Sequence, residues 1–192
     1  MKERLFVAVP LPEDIRDYFS GQTKEIIRQS SCPVTVVSRE SMHITLIFIG
    51  ETDTTNIPDI CESFRKLKSK HKSFRLSFDS LDFFPNSRNP RTLIVRMKDD
   101  LSKINALHND LGHALDELKI NYDRKPFNAH MTLARVRSGA APVQLLNLVR
   151  EASRIKLDPY YASVDVSNFI LFKSELTWAG PVYTPEAVFV LA

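Results

Sequence analysis

The feature that most constrains this chain is a short motif, His-x-Thr-Leu, that occurs twice. The first copy is His43-Ile44-Thr45-Leu46 and the second is His130-Met131-Thr132-Leu133. Histidine is rare in the chain, with five residues among 192. Two chance copies of the motif have a probability of roughly a few in ten thousand. Any fold proposed for the chain therefore has to account for two distant segments with the same order of polar and apolar residues.

Both copies lie in segments whose composition is typical of β-strands, residues 42–49 and 128–136. Because side chains along a strand alternate between two faces, each motif presents its histidine and threonine to the same side. On the first strand the opposite, apolar side holds Met42, Ile44, Leu46 and Phe48. On the second strand the polar side holds His130, Thr132 and Ala134, and the apolar side holds Met131 and Leu133.

The rest of the chain alternates predicted strands with predicted helices. Strands are predicted at residues 4–9, 34–37, 74–78, 91–97, 164–172 and 182–191, with a turn-rich loop at 84–90. Helices are predicted after Pro12 and at residues 56–70, 99–118 and 142–153. The third helix is capped by Asp99 or Asp100 and carries His108 and His113 as surface residues.

This order of elements predicts an α+β fold in which residues 1–192 form a single bilobal domain. Each lobe is an antiparallel sheet with helices outside it, and each half of the chain holds two helices and one motif strand. The two lobes are pseudo-symmetric, and their sheets face a shared central cleft, where a ligand site is common.

The composition excludes several classes of protein. The net charge of +3 suits a polyanionic ligand but is far below that of an obligate nucleic-acid binder. The two cysteines, Cys32 and Cys61, form neither a disulfide framework nor a zinc motif. No segment resembles a signal peptide or a membrane span. We expect a cytoplasmic monomer without membrane contact or a stable protein partner.

Two histidines facing one cleft can supply an acid and a base together. Imidazole titrates near neutral pH, so one ring can be neutral while the other is protonated. This arrangement suits phosphoester cleavage: one histidine takes a proton from attacking water and the other protonates the departing ribose oxygen. The hydroxyls of Thr45 and Thr132 can bind the non-bridging oxygens. The residues themselves leave open which histidine is the acid, and the scheme needs no metal or cofactor.

Two other interpretations compete with this one. Either histidine taken alone fits a structural role on a half-buried strand. A zinc site would normally require a third protein ligand, and neither motif holds a further His, Cys or carboxylate two or four residues from its histidine. The duplication of the motif favours catalysis over both alternatives.

The motifs resemble those of the two-histidine (2H) phosphoesterase superfamily, in particular its RNA 2′,3′-cyclic phosphodiesterase family, also called 2′-5′ RNA ligase. The similarity extends along nearly the whole chain. It includes the opening strand from Arg4 to Pro12, Gly50-Glu51 after the first motif, the Phe84-Pro85 loop with Pro90-Arg91, the second motif, and Ser174, Leu176, Gly180 and Tyr183 near the end.

The resemblance implies a bilobal pseudo-symmetric fold and metal-independent hydrolysis of RNA 2′,3′-cyclic phosphate ends to 2′-phosphomonoesters. It implies that His43 is the proton donor, that His130 is the acceptor, and that Thr45 and Thr132 bind the phosphate. Arg135 matches a basic residue of the family that would bind phosphate. Strand alternation directs Arg135 away from His130 unless the strand bends or bulges there.

Three positions depart from the family pattern: Asp82 replaces a common glycine, Ile94 a common tryptophan and Ala129 a common proline. None of them is an acid–base group. The substrates compatible with the motifs are RNA with 2′,3′-cyclic phosphate ends and small cyclic nucleotides. The alternatives are the joining of RNA ends through a 2′-5′ bond and an RNA-end binding module without turnover.

Overall fold

The structure is a computed structural model that describes residues 1–98, 100–178 and 180–192, and these form nine β-strands and four α-helices. The strands are β1 (Lys2–Pro10), β2 (Val34–Val36), β3 (His43–Asp53), β4 (Phe74–Asn86), β5 (Asn89–Lys98), β6 (His130–Val136), β7 (Ser163–Val166), β8 (Asn168–Thr177) and β9 (Gly180–Val190). The helices are α1 (Glu13–Ser30), α2 (Ile57–Lys68), α3 (Ser102–Glu117) and α4 (Pro142–Arg154).

All nine strands belong to one antiparallel sheet, in the order β7-β4-β5-β6-β3-β1-β8-β9, with β2 also paired to β6. The two motif strands, β3 and β6, are therefore neighbours at the centre of the sheet. The pairing between them is short, because its register contains only Ile44 opposite Met131. The predicted α+β class is confirmed, and the two predicted sheets are joined at this central pair.

The four helices pack in two pairs, and each pair contains one helix from each half of the chain. Helix α1 packs against α4, with further contacts to β6, and α2 packs against α3, with contacts to β9. In the same way, β1 pairs with β8 near the other end of the chain. Long-range strand pairing and helix packing therefore interleave the two halves of the chain.

The core lies between the sheet and the helices. The apolar run of β1 is buried throughout, since Leu5, Phe6, Val7, Ala8 and Val9 are at most 3% exposed. This matches the prediction of a strand covered on both faces. The largest fully buried side chains include Phe19, Phe64, Phe78, Phe169 and Phe189.

Two local predictions are wrong because hairpins and pairing partners were not visible in the sequence. Residues 84–90 do not form a loop: β4 and β5 continue to Asn86 and Asn89, and the Asn86 side chain accepts hydrogen bonds from the N–H groups of Arg88 and Asn89 across the turn. Residues 164–172 form two strands, because β7 pairs with β4 whereas β8 pairs with β1 and β9.

Helix α3 begins later than predicted, at Ser102, whose N–H donates to the Asp100 carboxylate at 2.8 Å. Asp99, the other predicted cap, lies outside the described residues. His113 is exposed as predicted, but His108 is half-buried. The Nδ1 of His108 lies 2.8 Å from the carbonyl of Leu46, and its ring stacks on Phe127 with centroids 4.3 Å apart.

In the described ranges, no helix combines the length and the apolar character needed to cross a lipid bilayer.

Candidate active site

A cleft with a volume of about 650 Å³ is lined by all four polar residues of the two motifs, His43, Thr45, His130 and Thr132. Behind these residues, the intervening Ile44 and Met131 are fully buried. The sequence-based assignment of a polar and an apolar face therefore describes both motifs correctly.

The register of β3 and β6 explains how the motifs meet. Ile44 is the central residue of one motif and Met131 of the other, and they are directly paired. Because the strands are antiparallel, His43 lies across from Thr132, and Thr45 lies across from His130. Standard strand spacings then separate the two histidine Cα atoms by ~8 Å, diagonally across the pair. The two motifs are thus related by an approximate twofold axis through the Ile44–Met131 pair.

Bulges change which residues of these strands reach the cleft. In the β1–β3 register, Val7 pairs with Ile47 and Ala8 with Thr45, so Leu46 is an extra residue. A second irregularity follows at Ile49. Phe48 was predicted to face the core, but it is 51% exposed and lines the cleft. The prediction failed because simple alternation does not continue through a bulge.

A bulge in β6 does the same for Arg135. In the β5–β6 register, Leu93 pairs with Ala134 and Ile94 with Thr132, so Leu133 is the extra residue. Arg135 consequently lines the cleft. Ala134, which was predicted to share the polar face, is instead buried at 1% exposure.

The two imidazoles are held in the same way. The Nδ1 of His43 lies 2.7 Å from the carbonyl of Ser41, and the Nδ1 of His130 lies 2.7 Å from the carbonyl of Asn128. A carbonyl oxygen can only accept, so each Nδ1 carries a proton and donates it. Each neutral ring therefore keeps its lone pair on Nε2. The Nε2 of His43 is 3.0 Å from the Thr45 hydroxyl, which can donate to it.

Aromatic side chains surround the histidines unequally. Phe6 and Tyr183 contact His43 with centroid distances of 5.1 and 5.4 Å, and Phe6 stacks on Phe172 at 5.2 Å. On the other side, Phe84 meets His130 edge-on at 4.7 Å. The His43 side of the cleft is therefore the more aromatic one.

Burial favours the neutral form of both rings. It lowers the pKa of His43 to about 4, with a smaller contribution from the nearby His130. Burial also lowers the pKa of His130, and the positive charge of Arg135 acts in the same direction. Both histidines are therefore neutral at pH 7 in the free protein, and an anion bound between them would raise the pKa of each.

The cleft carries excess positive charge. Arg4 and Arg135 line it, and neither forms an ion pair with a carboxylate within residues 1–98, 100–178 and 180–192. The acidic residue Asp123 also lines the cleft, but it is paired with Lys125 at 3.0 Å. Two guanidinium groups without a carboxylate partner beside two histidines form a site suited to a phosphate.

Several cleft residues were not predicted as site residues. Arg4, Phe6, Phe48 and Phe84 reach the cleft through strand register, which leaves no local signal in the sequence. The positions that depart from the family pattern do not line the cleft. Asp82 pairs with Arg96, while Ile94 and Ala129 are buried.

Comparison with known proteins places this arrangement in a family. The protein-family model that describes the 2′-5′ RNA ligase superfamily matches residues 16–177 of the sequence. The chain belongs to this superfamily. The resemblance inferred from the two motifs is thereby confirmed.

Two curated relatives match over almost their whole length. The chain is 32% identical over 186 residues to a protein of Archaeoglobus fulgidus named RNA 2′,3′-cyclic phosphodiesterase, covering 97% of this chain and 99% of the relative. It is 29% identical over 194 residues to a protein of the same name from Methanothermobacter thermautotrophicus, covering 100% of both chains.

Solved structures share the fold. A crystal structure of a Thermus thermophilus protein matches with a TM-score of 0.78 and 28% identity, over 98% of this chain and 97% of that one. The crystal structure of E. coli LigT complexed with 3′-AMP matches with a TM-score of 0.77 and 22% identity, over 100% of this chain and 99% of that one.

Proposed function

We propose that this protein hydrolyses 2′,3′-cyclic phosphate ends of RNA to 2′-phosphomonoesters, with His43 and His130 as the acid–base pair. The observation that carries the proposal is the register of Ile44 opposite Met131, which brings the two motifs to one cleft. The relatives named RNA 2′,3′-cyclic phosphodiesterase support the substrate class.

In the proposed reaction a neutral imidazole removes a proton from water as the water oxygen bonds to phosphorus. The bond between phosphorus and the ribose 3′ oxygen breaks, and this oxygen receives the Nε2 proton of the other ring, which is an imidazolium once the anionic substrate has bound and raised its pKa. Thr45, Thr132 and Arg135 stabilise the charge on the non-bridging oxygens. Because both Nδ1 atoms donate to backbone carbonyls, both transfers take place at Nε2.

We assign the donor role to His43 and the acceptor role to His130. The twofold pairing makes the two motifs nearly equivalent, so their roles depend on how the substrate is oriented. Tyr183 beside His43 and the exposed Phe48, which contacts the buried Phe6, give the His43 side the larger aromatic surface, which favours binding of the nucleoside there. The leaving ribose oxygen then lies near His43, and water attacks from the side of His130.

Product analysis tests the proposal. An oligoribonucleotide ending in a 2′,3′-cyclic phosphate is incubated with the protein in EDTA. The expected product is the strand with a 2′-phosphate end, formed at the same rate without chelator. Absence of hydrolysis would contradict the proposed function, and a rate that depends on added metal would contradict the two-histidine mechanism. A 3′-phosphate product would contradict the assigned leaving group.

The family match also favours a second candidate reaction, the joining of RNA ends through a 2′-5′ bond. In this reverse reaction the acid and the base exchange roles. Adding RNA with a free 5′ hydroxyl to the same incubation distinguishes the two reactions, because only joining yields a longer strand. A related cyclic nucleotide is a further candidate substrate. Its hydrolysis is recognised by a product that differs from the RNA strand with a 2′-phosphate end. A binding module without turnover would retain the RNA end unchanged.

We further propose that residues 1–192 act as one bilobal phosphodiesterase domain, as a monomer in the cytoplasm, on RNA ends. The continuous sheet and the helix pairs that join both halves of the chain support a single unit. Sedimentation of the intact chain tests the monomer, and cell fractionation tests its location.

A further inference from the structure

A hairpin beside the cleft carries an exposed tryptophan at its tip. Strands β8 and β9 pair as far as Thr177 opposite Gly180, and Trp178 lies in the turn between them. Its side chain is fully exposed, at 101%. A tryptophan buries about 150–250 Å² when its ring is covered, so an exposed ring at the tip of a hairpin that lines a cleft is available for contact with a ligand.

The same hairpin forms one wall of the cleft. Ser174 and Leu176 of β8 line it, together with their register partners Tyr183 and Pro181 of β9. Leu176 is 73% exposed although it lines the cleft. Trp178 follows two residues later in the turn, ~7 Å further along the hairpin. Exposed apolar side chains are therefore present both on the cleft wall and at the tip of the same hairpin.

The charge of the cleft indicates what covers this surface. Arg4 lies on the same side of the cleft as the hairpin, since its neighbour Leu5 pairs with Lys173 of β8. A cationic groove followed by an exposed aromatic ring is how proteins bind single-stranded nucleic acid, because phosphates bind the cations and bases stack on the ring. A nucleotide strand that ends between His43 and His130 has to leave the cleft past one of its walls.

We propose that Trp178 stacks on the base of the nucleotide that precedes the terminal cyclic phosphate nucleotide. This inference rests on the proposed function and specifies its substrate: an RNA strand, for which the hairpin provides a second contact, in preference to a cyclic mononucleotide. A cyclic mononucleotide fills the site between the histidines but does not extend to the hairpin tip.

Kinetics with two substrates test the inference. The variant Trp178→Ala is compared with the wild type on 2′,3′-cyclic AMP and on an oligoribonucleotide ending in a 2′,3′-cyclic phosphate. Stacking on an aromatic side chain strengthens binding of each base, so kcat/KM for the oligonucleotide should fall at least ~5-fold, mainly through KM. The value for the mononucleotide should stay the same. Trp178→Phe should restore most of the loss.

The matched control is Tyr160→Ala, which removes an aromatic side chain that is 74% exposed and does not line the cleft. This variant should leave kcat/KM unchanged for both substrates. An equal loss for both substrates in Trp178→Ala, or no loss for the oligonucleotide, would overturn the inference.

A second measurement does not depend on activity. Trp178 is the single tryptophan of the chain, so intrinsic fluorescence reports on this side chain alone. An oligoribonucleotide with a 2′-phosphate end should quench the emission, whereas 2′-AMP should not. Quenching by both ligands, by neither, or a concentration-dependent blue shift without RNA, which would indicate a second copy of the chain, would overturn the inference. Quenching by RNA without hydrolysis would contradict the proposed function and leave the Trp178 contact standing.

Discussion

At the scale of single residues, the site depends on how each imidazole is oriented. His43 and His130 each donate from Nδ1 to a backbone carbonyl two residues earlier, so both present Nε2 to the cleft. A hydrogen bond from one ring nitrogen to a backbone carbonyl sets the tautomer of a histidine and keeps its ring in place. The equal arrangement in both motifs means that the loss of either ring removes half of the proposed acid–base pair.

The first prediction concerns these two rings. His43→Ala and His130→Ala should each lower kcat by at least ~10²-fold, because each removes a general acid or base. His113→Ala serves as the control, since His113 is exposed on α3 outside the cleft. Steady-state hydrolysis of a cyclic phosphate end measures the effect, and a rate close to that of the wild type in either variant would contradict the mechanism.

Arg135 provides the second prediction. A charge-assisted hydrogen bond contributes about 1.5–3 kcal/mol, so Arg135→Ala should lower kcat/KM by ~10-fold or more, and Arg135→Lys should lose less. Arg137→Ala is the matched control, because Arg137 donates to the Thr35 hydroxyl at 3.2 Å and does not line the cleft. Equal effects of the two alanine variants would show that only general charge matters.

The third prediction is a pH dependence of stability. Burial lowers the pKa of His43 from 6.5 to about 4, so between these values the unfolded chain binds more protons than the folded one. The free energy of unfolding should therefore fall as pH decreases through this window, with a contribution from His43 on the order of 3 kcal/mol.

Urea unfolding of the wild type and of His43→Gln between pH 7 and 4 measures this contribution. The difference in the free energy of unfolding between the two proteins at each pH removes the effect of the carboxylates, which titrate in both. His113→Gln is the control for replacing an exposed histidine. The advantage of the wild type should shrink as the pH falls. A difference that does not change with pH would show that His43 titrates normally.

At the scale of elements, bulges decide which side chains reach the cleft. Strand β6 follows strict alternation only as far as Thr132, and the extra residue Leu133 turns Arg135 to the side of the histidines. The bulges of β3 do the same for Phe48. Bulges are common next to active sites because they redirect one side chain without changing the strand order.

The segment between α3 and β6 also positions His130. Its Asp123 N–H donates to the carbonyl of Phe48 at 2.8 Å, and the preceding Tyr122 donates to Asp116 of α3 at 3.2 Å. The fit of this segment on α3 is close. A Cβ atom added at Gly112 would lie 2.9 Å from the Tyr122 hydroxyl oxygen.

The fourth prediction compares two helical glycines. Gly21→Ala in α1 meets no atom within 4 Å and should raise the free energy of unfolding by ~0.5–1 kcal/mol through helix propensity. Gly112→Ala gains the same propensity but displaces Tyr122, so it should lower stability by on the order of 1 kcal/mol. Chemical denaturation of both variants measures the change in the free energy of unfolding, which should be positive for Gly21→Ala and negative for Gly112→Ala. Equal stabilisation by both substitutions would mean that displacing Tyr122 does not lower stability.

At the scale of the whole molecule, the sheet is continuous, but its two groups of strands, β7-β4-β5-β6 and β3-β1-β8-β9, meet at the centre through one register pair. Strands β3 and β6 each contribute one histidine and one threonine across this pair. A phosphate bound there contacts both strands at once. Such a ligand binds the folded chain and not the unfolded one, because the unfolded chain has no assembled site.

The fifth prediction follows from this linkage. Inorganic phosphate at about 100 times its Kd should stabilise the protein by ~2.7 kcal/mol, which corresponds to a rise in Tm of about 5–10 °C. Sodium chloride at equal ionic strength is the control for screening. The variant Thr45→Val combined with Thr132→Val should lose most of the shift. An equal rise in chloride would contradict a specific phosphate site.

The α+β class, most of the strands and helices, and four of the side chains that line the cleft could be predicted from the sequence alone. These features are local, because alternation and helical periodicity depend only on neighbours along the chain. The pair of His-x-Thr-Leu motifs also indicated the family before any contact was known. His43, Thr45, His130 and Thr132 all line the cleft as predicted.

Three-dimensional contacts were needed for the rest: the register of Ile44 with Met131, the bulges that bring Phe48 and Arg135 to the cleft, and the packing of α1 on α4. The same holds for the aromatic surroundings of His43 and for the β8–β9 hairpin that forms one wall of the cleft. Register and bulges depend on hydrogen bonds between residues far apart in the chain, and a shift by one residue reverses the direction of every following side chain. For this reason the motifs predicted which four polar side chains line the cleft, whereas they did not predict the shape and walls of the cleft.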